Sequence, residues 1–194
     1  MNIVDRAKNI ILKPKDEWTI IDQEDTSATS LVVGYLIPLA LIPAIAAFIG
    51  YGVIGMSIFG PSLSWGIKQA IVVFLSTIIG VYISAYIINI LAPNFGSNKD
   101  FRKALQLVVY SYTPVLLAGA FQAIPALMIL GIVGLYGLYL LYIGLRPMMK
   151  TPDDKTTTYF VVSLLVIIAV YFILMTILAG IFIGRHYGQI PVMQ

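Results

Sequence analysis

The chain has 194 residues, 59% hydrophobic and 11% charged, with 12 basic and 9 acidic side chains, one histidine and no cysteine. A soluble domain carries about 25% charge, so this composition excludes a water-soluble globule and points to lipid as the solvent. Disulfides and thiolate metal sites are excluded, and the net charge of +3 is scattered over short connections rather than gathered in one stripe, which excludes a nucleic-acid partner.

The amino-terminal apolar run, Asn9 to Leu12, is too short for a secretory signal and is closed by Lys13-Pro14-Lys15. The first membrane helix is therefore expected to act as an uncleaved signal anchor. Ile3, Val4, Ala7, Ile10 and Ile11 follow helical spacing, with Asp5, Arg6 and Lys8 on other faces. This is a short amphipathic helix, expected to lie on the inner leaflet and to be drawn to anionic lipid, because a short helix needs a surface to pack on. After Pro14, Asp16-Glu17-Trp18 opens a second short helical turn with Trp18 suited to the membrane interface, and Asp22, Glu24 and Asp25 form an acidic patch. Residues 1–30 are read as a cytoplasmic or interfacial segment.

Crossing the hydrocarbon core takes about 20 apolar residues in a helix. Charge-free runs of that order occur at Leu31–Tyr51, Gln69–Ala92, Ala104–Phe121, Pro125–Leu145 and Tyr159–Gly184. The third and fourth are joined only by Gln122-Ala123-Ile124, and Pro125 suits the first turn of a new helix, so a tight hairpin is expected in place of one long bent helix. The fold class is all-α: a polytopic bundle of five transmembrane helices, residues 31–184, with a short tail at 185–194. Of the 12 basic residues, Arg6, Lys8, Lys13, Lys15, Lys99, Arg102, Lys103, Arg146, Lys150 and Lys155 fall on one side of such a bundle, and only Lys68 and Arg185 on the other. That bias places the amino terminus in the cytoplasm and the carboxyl terminus outside; the expected location is the cell (inner) membrane.

Small residues let membrane helices pack closely. Ser76, Gly80 and Ser84 in span two, Gly131, Gly134, Gly137 and Gly144 in span four, and Thr176, Gly180 and Gly184 in span five are read as helix–helix contact faces. The alternative is that they let a substrate approach the backbone. Pro38, Pro43 and Pro114 interrupt spans one and three. Around Pro114 lies Tyr110-Ser111-Tyr112-Thr113, flanked by Gln106 and Gln122, while Asn89 closes span two. Asn89, Gln106, Tyr110, Ser111, Thr113 and Pro114 are either hydrogen-bonding glue or the lining of a cavity. The absence of Lys, Arg, Asp or Glu within the spans argues against proton-coupled transport.

The tyrosine-rich helix Tyr136 to Leu145, ending in Gly144-Leu145, runs into Arg146-Pro147-Met148-Met149-Lys150-Thr151-Pro152-Asp153-Asp154-Lys155 and reaches Tyr159. This stretch resembles the hallmark of the Yip1 family. The five-span hydropathy, the Tyr-Ser-Tyr-Thr-Pro stretch and Pro14 with Trp18 are similar to that family too, in its compact bacterial form. Eukaryotic members have a longer cytoplasmic region with a Leu-Tyr-Gly-Pro-type motif, lacking here, and bind Rab-type GTPases in vesicle traffic. The resemblance implies a polytopic membrane protein without known enzymatic activity. Physically, Pro147 and Pro152 are expected to stop the flanking helices, and Thr151 or Asp153 to cap span five. Arg146, Lys150 and Lys155 are expected either to pair with Asp153 and Asp154 as a clasp or to dock lipid phosphates or a partner. A metal on two aspartates is the weakest of these readings.

The leading expectation is a non-enzymatic adaptor that organises membrane or protein partners, with the loop Arg146, Lys150, Thr151, Pro152, Asp153, Lys155 and Tyr159 as docking site. The rival is a channel or transporter for a neutral solute, lipid or ion beside span three. An intramembrane enzyme has least support, because a lone His186 supplies neither a ligand set nor a nearby base. No cofactor is expected. The partners expected are the bilayer, anionic lipid included, a membrane or cytoplasmic protein, and a second copy of the chain.

Overall fold

The computed structural model describes residues 2–55 and 60–187, with side chains described as far as Ile173. Two short helices, α1 (Ile3–Leu12) and α2 (Pro14–Gln23), precede five long apolar ones. These are α3 (Ala28–Ile54), α4 (Leu63–Phe95), α5 (Phe101–Ala123), α6 (Pro125–Met149) and α7 (Asp153–Tyr187). Each long helix is apolar and long enough to cross a bilayer. All five begin at or before the charge-free runs, because helix ends carry polar turns: Lys68, Arg102, Lys103 and Arg146 lie within helices.

The starts follow ordinary capping chemistry. Asn2, Ser62 and Asp100 each accept backbone N–H bonds in the first turns of α1, α4 and α5, and Ser27 does so for α3. The α5–α6 connection is a hairpin turning on one residue. Ile124 is extended (φ −125°, ψ 121°) and Pro125 opens the next helix, and the two arms pack on each other. Residues Pro125–Leu135 are wound as 3-10 helix, which rises about 2.0 Å per residue and so covers more depth per residue than α winding.

Helix α5 is the hub. Within its apolar stretch 72% is buried, against 17% to 44% for the other four spans. Every residue from Ala104 to Ser111 is buried. The other spans turn large apolar side chains outward, such as Val72 on α4, Ile129 on α6 and Phe172 on α7. That pattern would be untenable in water and is what a lipid solvent requires.

Proline acts differently along the chain. Pro43 stays within α-helix, while the segments before and after, Val32–Leu36 and Phe48–Ile54, are π-wound. At Pro114 the α winding of α5 breaks at Tyr112 (φ −74°, ψ −10°) and resumes at Thr113. Pro147 does not stop its helix, contrary to expectation. It sits inside α6, which runs on to Met149 and ends where Lys150 takes a left-handed conformation (φ 53°).

The small-residue faces are used in part. Gly80 and Ser84 are buried, Gly80 beneath the Tyr171 hydroxyl of α7, whereas Ser76 is exposed. Gly134, Gly137 and Gly144 are buried, and Gly131 is open. Thr176, Gly180, Gly184 and His186 lie beyond the described side chains.

The amino-terminal helices correct a second expectation. They are packed on the end of the bundle. Ile10, Trp18 and Ile21 are fully buried, and Trp18 meets Tyr110 edge-on with 6.4 Å between ring centroids. Trp18 is thus a core residue and not an interfacial one. The surface that a short helix needs is supplied by α5 and α6, leaving only Val4 and Leu12 as large exposed apolar groups on α1.

A close backbone approach occurs at Gly66 of α4, where an added Cβ would stand 2.5 Å from Gly52 Cα and 3.0 Å from the Phe48 carbonyl of α3. Relief requires the backbone to move. Gly66→Val should therefore destabilise the detergent-solubilised protein by about 1–3 kcal/mol. Gly131→Val, at a position with nothing within 4 Å, should leave the unfolding temperature unchanged in the same thermal melt.

Candidate functional site

The charged chemistry of the molecule gathers at the end of the bundle that α1 and α2 cover. Arg6 is buried. Its Nη1 donates to Glu17 at 2.6 Å and its Nη2 to Glu24, and the guanidinium lies 5.4 Å from the Tyr110 ring centroid. Glu17 is as buried as Arg6, whereas the Glu24 side chain is 32% exposed. Burial disfavours the Arg6 charge, but the hydrogen bond to Glu24 and the surrounding negative charges outweigh it and hold the pKa above the usual guanidinium value. Arg6 is therefore charged at every working pH.

A second ring of ion pairs fixes the same cap to the helix connections. Asp22 takes Lys150 Nζ at 2.5 Å, and Lys103 Nζ lies 3.8 Å from Asp22 while donating to its backbone carbonyl at 2.5 Å. Arg102 pairs with Asp25 at 3.0 Å. On the opposite flank of the cap, the Tyr136 hydroxyl of α6 donates to the Ile11 carbonyl at 3.0 Å. The acidic patch Asp22, Glu24 and Asp25 thus faces the basic connections of the bundle.

The loop after α6 is a joint. Lys150 takes the left-handed turn that ends the helix, and Met148 and Met149 just before it are buried. Thr151 is one of the two residues, with Asp153, expected to cap α7. Its hydroxyl instead donates to the Leu145 carbonyl at 3.0 Å and accepts from Ser97 Oγ at 2.9 Å. The reason is geometric: the α4–α5 connection runs alongside, with the Asn98 N–H on the Met149 carbonyl at 2.8 Å, so Thr151 is held between two loops. Pro152 offers its carbonyl to the Lys155 N–H and the Thr156 hydroxyl, opening α7. Asp153 pairs with Arg146. Tyr159 is fully buried, stacked on Phe95 at 4.9 Å, and donates to the Ile88 carbonyl near the end of α4. Asp154 and Lys155 are exposed.

The polar residues of α5 divide among several surroundings. The Thr113 hydroxyl bonds the Tyr35 hydroxyl of α3 at 2.8 Å, and Pro114 is buried beside it in the chain. Ser111 borders a largely apolar cavity of about 300 Å³ between α4, α5, α6 and α7, together with Ser84, Gly134 and Leu164. Tyr110 faces a different cavity of about 300 Å³, bordered by Arg6, Glu24, Ser30 and Tyr35. Gln106 and Asn89 are buried. Gln106 Oε1, Asn89 Oδ1 and Ser111 Oγ have no hydrogen-bond partner among the described residues. Among the described residues no three metal-ligating side chains converge.

Arg6 and the polar cavity beneath it were not foreseen. In the sequence, Arg6 falls on a non-apolar face of α1, which reads as solvated. The available signal was the acidic excess of the segment after Pro14, where Asp16, Glu17, Asp22, Glu24 and Asp25 stand against Lys15 alone.

The sequence matches the Yip1 domain over residues 8–177, from α1 into α7. The chain belongs to the Yip1 family. The Yip1 domain here includes most of the cap as well as the five spans, and its Met-Lys-Thr-Pro loop is the joint between α6 and α7. No curated protein and no solved structure gives a match.

Removing one partner of a buried ion pair leaves an uncompensated charge and costs about 3–5 kcal/mol. Arg6→Met should therefore strongly destabilise the detergent-solubilised protein. Adding Glu17→Leu should recover much of that loss, because Glu24 can reach solvent and Glu17 cannot. A thermal-melt comparison of the two single variants and the double variant measures the coupling.

Proposed function

We propose that this Yip1-family membrane protein is a non-enzymatic adaptor whose docking face is the capped end of the bundle. The observation that carries this reading is the direction of the charges on the cap. Glu17, Asp22, Glu24 and Asp25 are engaged by Arg6, Arg102, Lys103 and Lys150, while Lys8, Lys13 and Lys15 stand exposed on α1, α2 and the turn between them and outnumber the exposed acidic side chains there, Asp5 and Asp16. A preformed, basic, rigidly held surface suits a docking role, because little ordering entropy is lost when a partner or an anionic membrane surface binds. On the positive-inside principle this end faces the cytoplasm, which puts the amino terminus inside, and the cell membrane is the location this reading assigns.

Within this reading the Met-Lys-Thr-Pro loop supports the cap from below, and Lys155 with Asp154 forms its exposed edge. The partner is a cytoplasmic or membrane protein of acidic surface, or a second copy of the chain. Charge reversal at Lys8, Lys13 and Lys15 to Glu should leave the thermal melt unchanged and reduce cross-linked partner recovered from native membranes by roughly tenfold, the loss expected for about 1.4 kcal/mol. Recovery equal to that of the unaltered chain would remove the cap face from the function.

A second reading, passage of a neutral solute or lipid beside α5, is favoured by the cavity at Ser111. Filling it with Gly134→Leu should then lower flux into reconstituted vesicles, and vesicles in which the unaltered protein gives no flux above lipid alone dispose of this reading.

A further inference from the structure

The cavity under Arg6 has three properties that packing does not account for. It lies where α3 enters the bundle: one wall is α1 with the linker at Glu24 and Thr26, and the other is the first turns of α3 with Tyr110 of α5. It holds a buried positive group and a partly exposed negative group side by side, Arg6 and Glu24. And Gly34, which borders it at the exposed mouth, is not required by any neighbour, since an added Cβ there would meet nothing within 4 Å. Glycine inside a helix costs about 1 kcal/mol relative to alanine. Here what glycine provides is open volume. The same residue belongs to the π-wound segment Val32–Leu36, a distortion frequent at functional sites.

We propose that this cavity binds the headgroup of a zwitterionic phospholipid of the phosphoethanolamine type, taken from the leaflet at the capped end. The charge pattern selects the class. A simple anion brought to Arg6 meets Glu24 on the lining and Glu17 behind it on the same guanidinium, and both repel it. A simple cation brought to Glu24 meets the guanidinium. A headgroup with phosphate and ammonium two carbons apart answers both at once. Arg6 has five N–H groups, and the hydrogen bonds to Glu17 and Glu24 engage two of them, which leaves donors for a phosphate oxygen. Glu24 has a solvent-reachable side for the ammonium, and the Tyr35 ring adds an aromatic face. The hydroxyls of Thr26 and Ser30 complete the polar lining. Val33, beside Gly34, is exposed and gives the acyl chains an apolar track.

This inference stands apart from the adaptor reading, since the cavity binds or fails to bind whether or not a protein docks on the cap. The test is native mass spectrometry of the delipidated full chain in detergent, titrated with phosphatidylethanolamine, with phosphatidylglycerol and with soluble glycerophosphoethanolamine. Phosphatidylethanolamine should be retained at least tenfold better than phosphatidylglycerol, and the soluble headgroup should not be retained. Gly34→Leu, whose side chain enters open space, should bring phosphatidylethanolamine retention down to the phosphatidylglycerol level with an unchanged melt. Glu24→Gln should weaken the preference for the zwitterion. If Gly34→Leu fails to fold, Ser30→Leu at the exposed rim carries the same expectation. Equal or better retention of phosphatidylglycerol by the unaltered chain overturns the proposal, as does full retention of phosphatidylethanolamine by the plugged variants. Retention of the soluble headgroup to the same degree as the lipid overturns the lipid source.

Discussion

Hydrocarbon offers no hydrogen bonds, so a polar group carried into the bilayer must be answered by the protein itself. The placement of α5 follows from that constraint. It carries Gln106, Tyr110, Ser111 and Thr113, and it is the span most enclosed by the others. Exposed to lipid, this hydroxyl-rich stretch would be costly. At the centre it can bond across helices, as Thr113 does with Tyr35, while the more apolar α4, α6 and α7 take the lipid-facing positions. Tyr159 applies the same logic, its buried hydroxyl donating to the Ile88 carbonyl of α4, which also accepts from the Ala92 N–H.

The cap extends this arrangement beyond the spans. A buried ion pair is weak support for stability, since desolvation offsets much of its attraction, but it is demanding about geometry. Arg6 between Glu17 and Glu24 holds α1, α2 and the linker in one arrangement, and Trp18 then fits against Tyr110 and the small Gly144. Asp22 carries the tie onward to Lys103 and Lys150, so the cap, the start of α5 and the end of α6 are linked through one side chain. Thr151 and Ser97 continue the link to the end of α4. The segment that carries the family hallmark is thus a junction at which several helix ends are satisfied together.

Much of the architecture was legible because lipid imposes a length and forbids charge. Five apolar runs and the hairpin at Ile124 follow from those two rules. What could not be read was which apolar surroundings a residue meets. The pattern Ile3, Ala7, Ile10 is the same whether the helix lies on lipid or on protein, and only contact with the bundle decides it. Trp18 was misplaced for that reason, and Arg6 was passed over because a lone arginine on an amphipathic helix reads as solvated. Pro147 was read as a stop from its chemistry alone, yet a helix in its last turn tolerates the loss of one donor, and the left-handed Lys150 ends it instead. Of the polar residues on α5, hydropathy marked the set, but only the packing separates Ser111 at the apolar cavity from Tyr110 at the polar one and Thr113 on Tyr35.

The first turns of α3 bring these threads together. Winding as π-helix, the Ile37 N–H reaches back five residues to the Val32 carbonyl, and Pro38 follows with no N–H at all. The ladder therefore loses one donor in the stretch that faces Val33 and Gly34. Such a backbone is tolerated at membrane depth only where it is buried in protein or borders a cavity that can answer it. Gly34 and Tyr35 border the cavity that also holds Arg6 and Glu24. A break in the α3 ladder and the Arg6–Glu24 pair of the cap thus meet in one polar space. A wall of ordinary α-helix with alanine in place of Gly34 would satisfy more of its own backbone and leave less of that space open.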